Sequence, residues 1–266
     1  MQGGRVKQLD KYRSLFNLDG KVALVAGGGG DIGKAISEGL AGFGATVVVC
    51  GRTVAKARAV ANGIVAAGGK ATGAELDVLD VKGVGSFVDQ IVAQHGRVDI
   101  LVNCVGTQIE APAEDYKEED WDRIFAVNLK SAFFLSQSVA KNQISGGGGK
   151  HIHVTSVRSA LGIRRGFIGY CSSKGGMNLM VKQLASEWAK YNICVNGIAP
   201  TFTRTELVRP YLDDPQFYNP LVARIPMGRI AEPLDLTGLA IYLAAPASDF
   251  TTGQIVYVDG GVTACQ

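Results

Sequence analysis

Short apolar runs alternate with stretches of helical spacing along most of the chain. Lys21 to Ala26 (KVALVA) is apolar beyond its lysine and runs into glycines, the pattern of a strand buried on both faces of a parallel sheet. Ile32 to Phe43 then carries Ile32, Ala35, Ile36, Gly39 and Leu40 at the spacing of one helix face. The alternation repeats, with strands expected at Ala45 to Cys50, Ala71 to Leu76 and Val98 to Val102 and helices at Val54 to Ala67 and Val84 to His95. Trp121 to Ser145 reads as one long helix closed by Gly146 to Gly149, followed by a strand at Lys150 to Thr155, a helix at Cys171 to Tyr191 and a strand at Cys194 to Ile198. The pattern weakens over Thr201 to Arg229 and returns with a helix at Leu234 to Ala244 and a strand at Gln254 to Val258. Alternating strands and helices imply right-handed crossovers. The expected fold is therefore an α/β doubly wound parallel sheet with helices on both faces and ligands at the carboxyl ends of the strands.

At 266 residues, 47% hydrophobic, the chain suits one α/β domain over residues 19–266, with a polar arm over residues 1–18 and a substrate lid at about 201–229. Gly146 to Gly149 lies between a helix and a strand of the same alternation, so it reads as a surface loop and not as a domain boundary. A net charge of +3, without clustered Lys, Arg and aromatics, offers no nucleic-acid surface. The first residues lack the apolar core of a signal peptide, and no run approaches the ~18 apolar residues of a membrane span. The five cysteines are an odd number with no CxxC pair, which fits a reducing, cytoplasmic compartment. Three histidines, His95, His151 and His153, have no spacing that assembles a metal site.

Two constellations carry chemistry. The turn Ala26-Gly27-Gly28-Gly29-Gly30-Asp31-Ile32-Gly33 joins the first strand to the first helix, where main-chain N–H groups and the helix dipole can hold a pyrophosphate. Strand two ends Cys50-Gly51-Arg52, with Gly51 where an acid would bind a ribose 2′-hydroxyl and Arg52 beside it, suited to a 2′-phosphate. In the second constellation, Tyr170 and Lys174 lie four residues apart at the start of a helix, hence on one face and one turn apart. A phenol titrates near about 10, and a fixed ammonium beside it stabilises the phenolate. Upstream, the strand ending at Thr155 delivers Ser156, whose hydroxyl can steady a substrate oxygen; Ser159 is the competing candidate. Asn128 is polar in the middle of a helix, and its plain alternative is helix packing.

This ordered set resembles the short-chain dehydrogenase/reductase family over about Lys21 to Val262. Gly27 and Gly33 match the first and third glycines of its Thr-Gly-x-x-x-Gly-x-Gly turn, whereas Ala26 replaces the threonine and Asp31 the second glycine. Asp31 is expected to cap the helix, the alternative being a position facing the adenosine. The resemblance implies a Rossmann-like fold with Gly27, Gly30, Asp31, Ile32 and Gly33 around the phosphates, Arg52 at the 2′-phosphate and Asp77-Val78 at the adenine, although Asp77 could equally cap its own turn. Asn103 and Gly106 keep part of the family's Asn-Asn-Ala-Gly loop, and the segment around Pro200, Thr203 and Thr205 resembles the one that meets the nicotinamide carboxamide.

For catalysis the resemblance implies Ser156, Tyr170, Lys174 and Asn128, with Tyr170 and Lys174 also touching cofactor and Asn128 holding a water that joins Lys174 to solvent. It implies NADP(H) in preference to NAD(H), hydride transfer between nicotinamide and an alcohol/carbonyl pair, and, from the tail through Gly253, Asp259 and Gly261, a homotetramer. Arg158, Arg164, Arg165 and Arg204 border the expected pocket, which favours a sugar, polyol or aldonate over a 3-oxoacyl thioester or a steroid. The rival of a different class is a non-catalytic NADP(H)-binding sensor.

Overall fold

Why the apolar runs become strands is visible in their burial. The computed structural model describes residues 9–206 and 208–265, and within them β1 (Val22–Ala26) is buried along its whole length. Beside it lie β2 (Thr46–Gly51), β3 (Lys70–Glu75), β4 (Ile100–Asn103), β5 (Gly149–Val154), β6 (Ile193–Pro200) and β7 (Ile255–Val258). They form one sheet in the order β3-β2-β1-β4-β5-β6-β7, with every pairing parallel. Each strand falls within two residues of its expected start.

Side chains alternate across a strand, so each run feeds two cores. Ala23, Val25, Val47 and Val49 face α1 (Asp31–Gly42), α2 (Val54–Ala66) and α9 (Pro233–Ala244), meeting Ile36, Leu40, Ala57, Ile64, Leu236 and Ala240. Leu24, Ala26, Val48 and Cys50 face the other way, onto Val84, Val88 and Ile91 of α3 (Val81–His95) and Leu135 and Val139 of α5 (Ser131–Gly146). Beyond them α6 (Ile168–Trp188) buries Val181 and Leu184 against Ile193 and Val195. Gly39 on α1 lets α9 approach closely, since a Cβ there would sit 2.2 Å from the Thr237 methyl.

The order reverses at β1: the chain runs outward through β2 and β3, then returns to place β4 on β1's other side. Connections leave the ends of β1 and β4 in opposite directions and open a crevice there, the position at which such sheets bind ligands.

The described residues add three details. At the end of the expected arm, Leu18 is fully buried in the core and its N–H donates to Phe43 O at 2.9 Å; residues 1–8 lie outside the described residues. The long helix carries a π-helical turn: α4 (Glu118–Phe125) passes through Ala126–Lys130 into α5 without a break. The weakly patterned stretch 201–229 holds two short helices, α7 (Arg209–Leu212) and α8 (Pro215–Val222), the latter capped by Asp214, which accepts from Gln216 N at 2.9 Å. They close a small core of their own, Leu212, Ile225 and Ile230 with Phe202, Tyr218 and Leu221; residue 207 of this stretch lies outside the described residues.

Candidate active site

The glycine turn is shaped by close approach. Gly27 has φ +73°, and a Cβ on it would meet the Cys104 carbonyl carbon at 2.9 Å; one on Gly33 would meet Gly27 O at 2.4 Å. Gly30 is the N-cap residue of α1 and no side chain caps the helix, so the first-turn N–H groups and the dipole's positive end face the crevice uncovered. Asp31 therefore does not act as the cap. It occupies the first helical position and accepts from Glu206 N at 2.7 Å, tying the start of the 201–229 stretch to the turn. Glu206 is held a second time by Lys56, Nζ to Oε2 2.9 Å.

Arg52 is exposed at the end of β2 and, among the described residues, has no ion-pair partner. Lys56, one turn into α2, packs under Gly29, whose Cβ would lie 3.0 Å from the lysine Cβ. Arg52 and Lys56 thus both lie near the turn, Lys56 with its ammonium already paired to Glu206. Asp77 is exposed and its Oδ1 accepts from Leu79 N at 3.0 Å, the turn-capping alternative; Val78 is buried in the core and offers only its backbone.

Asn103 turns inward. Its Oδ1 accepts from Val105 N at 3.1 Å and its Nδ2 meets His153 Nδ1 at 3.5 Å. Ser136 already donates to Ala132 O at 2.7 Å, so its oxygen accepts from His153 Nε2 (3.2 Å), leaving His153 Nδ1 as the acceptor for Asn103. Burial, and the charge on Lys174 behind it, lower the His153 pKa to about 4, which keeps the ring neutral in this chain of bonds. Asn103 thereby shapes the loop 103–106, and His153, which the sequence offered only as a histidine without metal-site spacing, fixes Asn103.

That loop sets Gly106 against the reacting groups: a Cβ there would stand 3.6 Å from Lys174 Nζ and 3.8 Å from Asn128 Oδ1. The π-turn swings Asn128 inward, fully buried, where it accepts from Thr107 N (2.8 Å) and donates to Thr107 O (3.0 Å) and Ser173 Oγ (3.0 Å). Lys174 Nζ donates to Val154 O at 2.8 Å and lies 5.8 Å from the Tyr170 ring centroid. Burial lowers the Lys174 pKa to about 8. Tyr170 is raised from its ordinary value by burial, while a hydrogen bond from Ser156 and the charge on Arg158 pull it back down. Ser159 leaves the contest with Ser156, because its hydroxyl donates to Ser156 O and accepts from Asn178 Nδ2 (2.7 Å). Thr203 Oγ1 donates to Thr201 O at 3.1 Å, whereas only the backbone carbonyl of Thr205 is engaged, and Pro200 ends β6 at the crevice.

Of the four expected pocket arginines, Arg165 pairs with Glu110 through two bonds of 2.8 Å and Arg204 with Glu232 at 2.9 Å. Arg158, Arg164 and Arg165, together with Arg224, line a cavity of about 200 Å³.

A family model described as enoyl-(acyl carrier protein) reductase matches residues 28–263. The chain is 37% identical over 252 residues to a gluconate 5-dehydrogenase of Gluconobacter oxydans, covering 95% of this chain and 98% of that one. It is likewise 37% identical over 249 residues to a 2-dehydro-3-deoxy-D-gluconate 5-dehydrogenase of Escherichia coli, covering 93% and 97%. A crystal structure of a gluconate 5-dehydrogenase from Burkholderia cenocepacia in complex with NADP and tartrate superposes with a TM-score of 0.91 at 39% identity, over 95% of this chain and 99% of the other. Fold, site and relatives define an oxidoreductase acting on hydroxyl and keto groups. The chain belongs to the short-chain dehydrogenase/reductase family.

Proposed function

We propose that the protein interconverts a secondary alcohol and a ketone of a sugar acid or related polyol with NADP(H). The observation that carries this reading is Tyr170 and Lys174 on one helix face with Ser156 against the phenol, within electrostatic reach of Arg158, which lines a cavity with other cations. The relatives named for gluconate support it, and the cavity of about 200 Å³ suits a compact substrate, below the roughly 300–1,000 Å³ of drug-sized sites.

The cofactor fits the residues present. The glycines of the turn leave the space that a Cβ would fill, the α1 N-terminus is uncapped, and the exposed Arg52 at the end of β2, with Lys56 near the turn, supports a 2′-phosphate contact. When bound, NADP(H) supplies or accepts the hydride. Asp31, Ile32 and Gly33 would hold its phosphates through the uncapped N–H groups of the first turn of α1, while Gly27 and Gly30, whose own N–H groups donate to Cys50 O and Gly27 O, shape the turn that admits it; Val78 and Asp77 would border its adenine, and Pro200, Thr203 and Thr205 its nicotinamide end. Gly106, set by Asn103, leaves room for it in front of Lys174.

Tyr170 gives its proton to the carbonyl oxygen in reduction and takes it back in oxidation, while the Ser156 hydroxyl steadies that oxygen. Lys174 favours the phenolate by its charge, which burial has brought close to the range where it can share a proton. Asn128 links the Lys174 environment to Thr107 and Ser173, a route by which a proton returns to solvent.

Residues 19–266 act as one domain with 201–229 as the lid, tied to the cofactor turn through Asp31 and Lys56. The exposed Leu179, Leu234 and Phe250 support assembly into a homotetramer, and five unpaired cysteines a cytoplasmic setting. The partner is a small molecule; neither nucleic acid nor membrane enters this reading. Among the described residues no helix is long and apolar enough to cross a membrane.

The test is a panel of sugars, polyols, aldonates, 3-oxoacyl thioesters and steroids, followed through the absorbance of reduced nicotinamide with NADPH and with NADH. A sugar acid or polyol is expected to give the highest kcat/KM. A thioester or steroid far above all of them contradicts the substrate class, and cofactor binding without turnover of any compound favours a sensor.

A further inference from the structure

The cavity that Arg158 lines contains charge that the protein does not neutralise. Arg158 is 8% exposed, yet among the described residues its guanidinium donates only to Gly162 O, through Nη1 at 3.0 Å. Among the described residues no carboxylate lies within ion-pair distance of Arg158 or of Arg224, which approaches from α8's end closely enough to be felt as a like charge. Arg165, in the same wall, differs in having Glu110. A buried guanidinium facing a second one is unfavourable unless an anion joins them, because desolvation and repulsion act in the same direction. Arg158 also acts electrostatically on Tyr170, so the anion it awaits belongs to a molecule seated at the reacting group. Between them the wall offers the Thr201 hydroxyl and the Gln216 amide among apolar Phe202 and Ile225, a lining for a short hydroxylated chain.

We propose that Arg158 and Arg224 form a carboxylate subsite of the substrate pocket, so that the enzyme takes a sugar acid in preference to the neutral polyol of the same carbon chain. This deepens the function proposed above and rests on it. A carboxylate is planar and accepts two parallel N–H bonds, matching one guanidinium fork, while the second supplies the remaining charge. Anchored there, the substrate directs its hydroxylated chain toward Ser156 and Tyr170. Arg224, exposed at the rim, sets encounter and orientation; Arg158, buried, sets discrimination. Neither residue is placed to move the proton.

Gluconate and glucitol, which share a six-carbon chain and differ in having a carboxylate or a hydroxymethyl end, separate the possibilities. The full-length enzyme with NADP+ is expected to favour gluconate in kcat/KM by about tenfold or more. Arg224→Gln should lower the gluconate-to-glucitol ratio by about tenfold, mainly through KM, and Arg158→Gln by more. Arg224 is at the surface, so its variant folds even where the buried one does not. Equal turnover of both compounds by the unaltered enzyme, or variants that lower both equally, overturns the subsite. Where neither compound is turned over, the functional reading falls, and the subsite is judged by calorimetry of gluconate on the NADP-bound protein. Binding weakened about tenfold or more by Arg224→Gln upholds it, and absent or unaltered binding overturns it.

Discussion

Replacing Lys174 by Met should abolish turnover and at the same time make the cofactor-free protein more stable at neutral pH. The side chain keeps its length and apolar stem, and what disappears is an ammonium that burial disfavours. A fall in pKa from 10.5 to about 8 corresponds to about 3 kcal/mol held against the folded state. The deletion leaves Val154 O without its 2.8 Å partner, which costs about 1–2 kcal/mol. The net expectation is a gain of about 1–2 kcal/mol. Its pH dependence follows from the direction of the shift. Below about 8 the lysine is charged in both folded and unfolded chains, so the penalty is present in full. Between about 8 and 10.5 the folded chain releases its proton first, the unfolded chain binds more protons, and the unaltered protein gains stability as pH rises. The advantage of the variant should shrink across that window and end as a deficit from the unpaired carbonyl. Urea unfolding of both proteins, cofactor-free and at one protein concentration, measures the difference at neutral pH and near the top of the window. A variant less stable at neutral pH, or a difference that does not change with pH, refutes the idea that burial of the ammonium is unfavourable.

Two further substitutions probe the cofactor crevice. Arg52→Ala should lower the NADPH-to-NADH ratio of kcat/KM by about ten- to a hundredfold, the worth of a charge-assisted hydrogen bond; an unchanged ratio removes Arg52 from the 2′-phosphate. Gly33→Ala places a Cβ 2.4 Å from Gly27 O and 2.7 Å from Gly28 Cα, so the turn must open: a loss of about 1–3 kcal/mol in stability and weaker NADP+ binding by fluorescence titration are expected, and unaltered binding contradicts the cradle.

The strands were readable because a strand buried on both faces has little choice of residues: KVALVA and TVVVC carry their environment in their composition. The site was readable where chemistry and local spacing coincide, as in Tyr170 with Lys174. It was not readable where a group's partner comes from a distant segment. Nothing near Asp31 announces that Glu206, far along the chain, supplies the N–H it accepts, so the helix-cap reading was natural and wrong. His153 has no local sequence signal for its service to Asn103, which depends on pairing β4 with β5. The stretch 201–229 hid two helices because Pro215 and Pro220 interrupt apolar spacing, although Asp214 before Pro215 is a start signal. Arg158 and Arg165 share one loop in the sequence; only the fold gives Glu110 to one of them and leaves the other bare.

Tyr170 is the group on which the proposed proton exchange depends. The most direct measurement is kcat for the unaltered enzyme and for Tyr170→Phe on the best substrate of the panel, with the NADP+ dissociation constant of each measured in parallel. Removing one hydroxyl and almost no volume should lower kcat by on the order of 10²–10⁴ while the dissociation constant stays within about twofold. Turnover near that of the unaltered enzyme, with cofactor bound equally well, would contradict the assignment and with it the role given to Lys174 and Ser156.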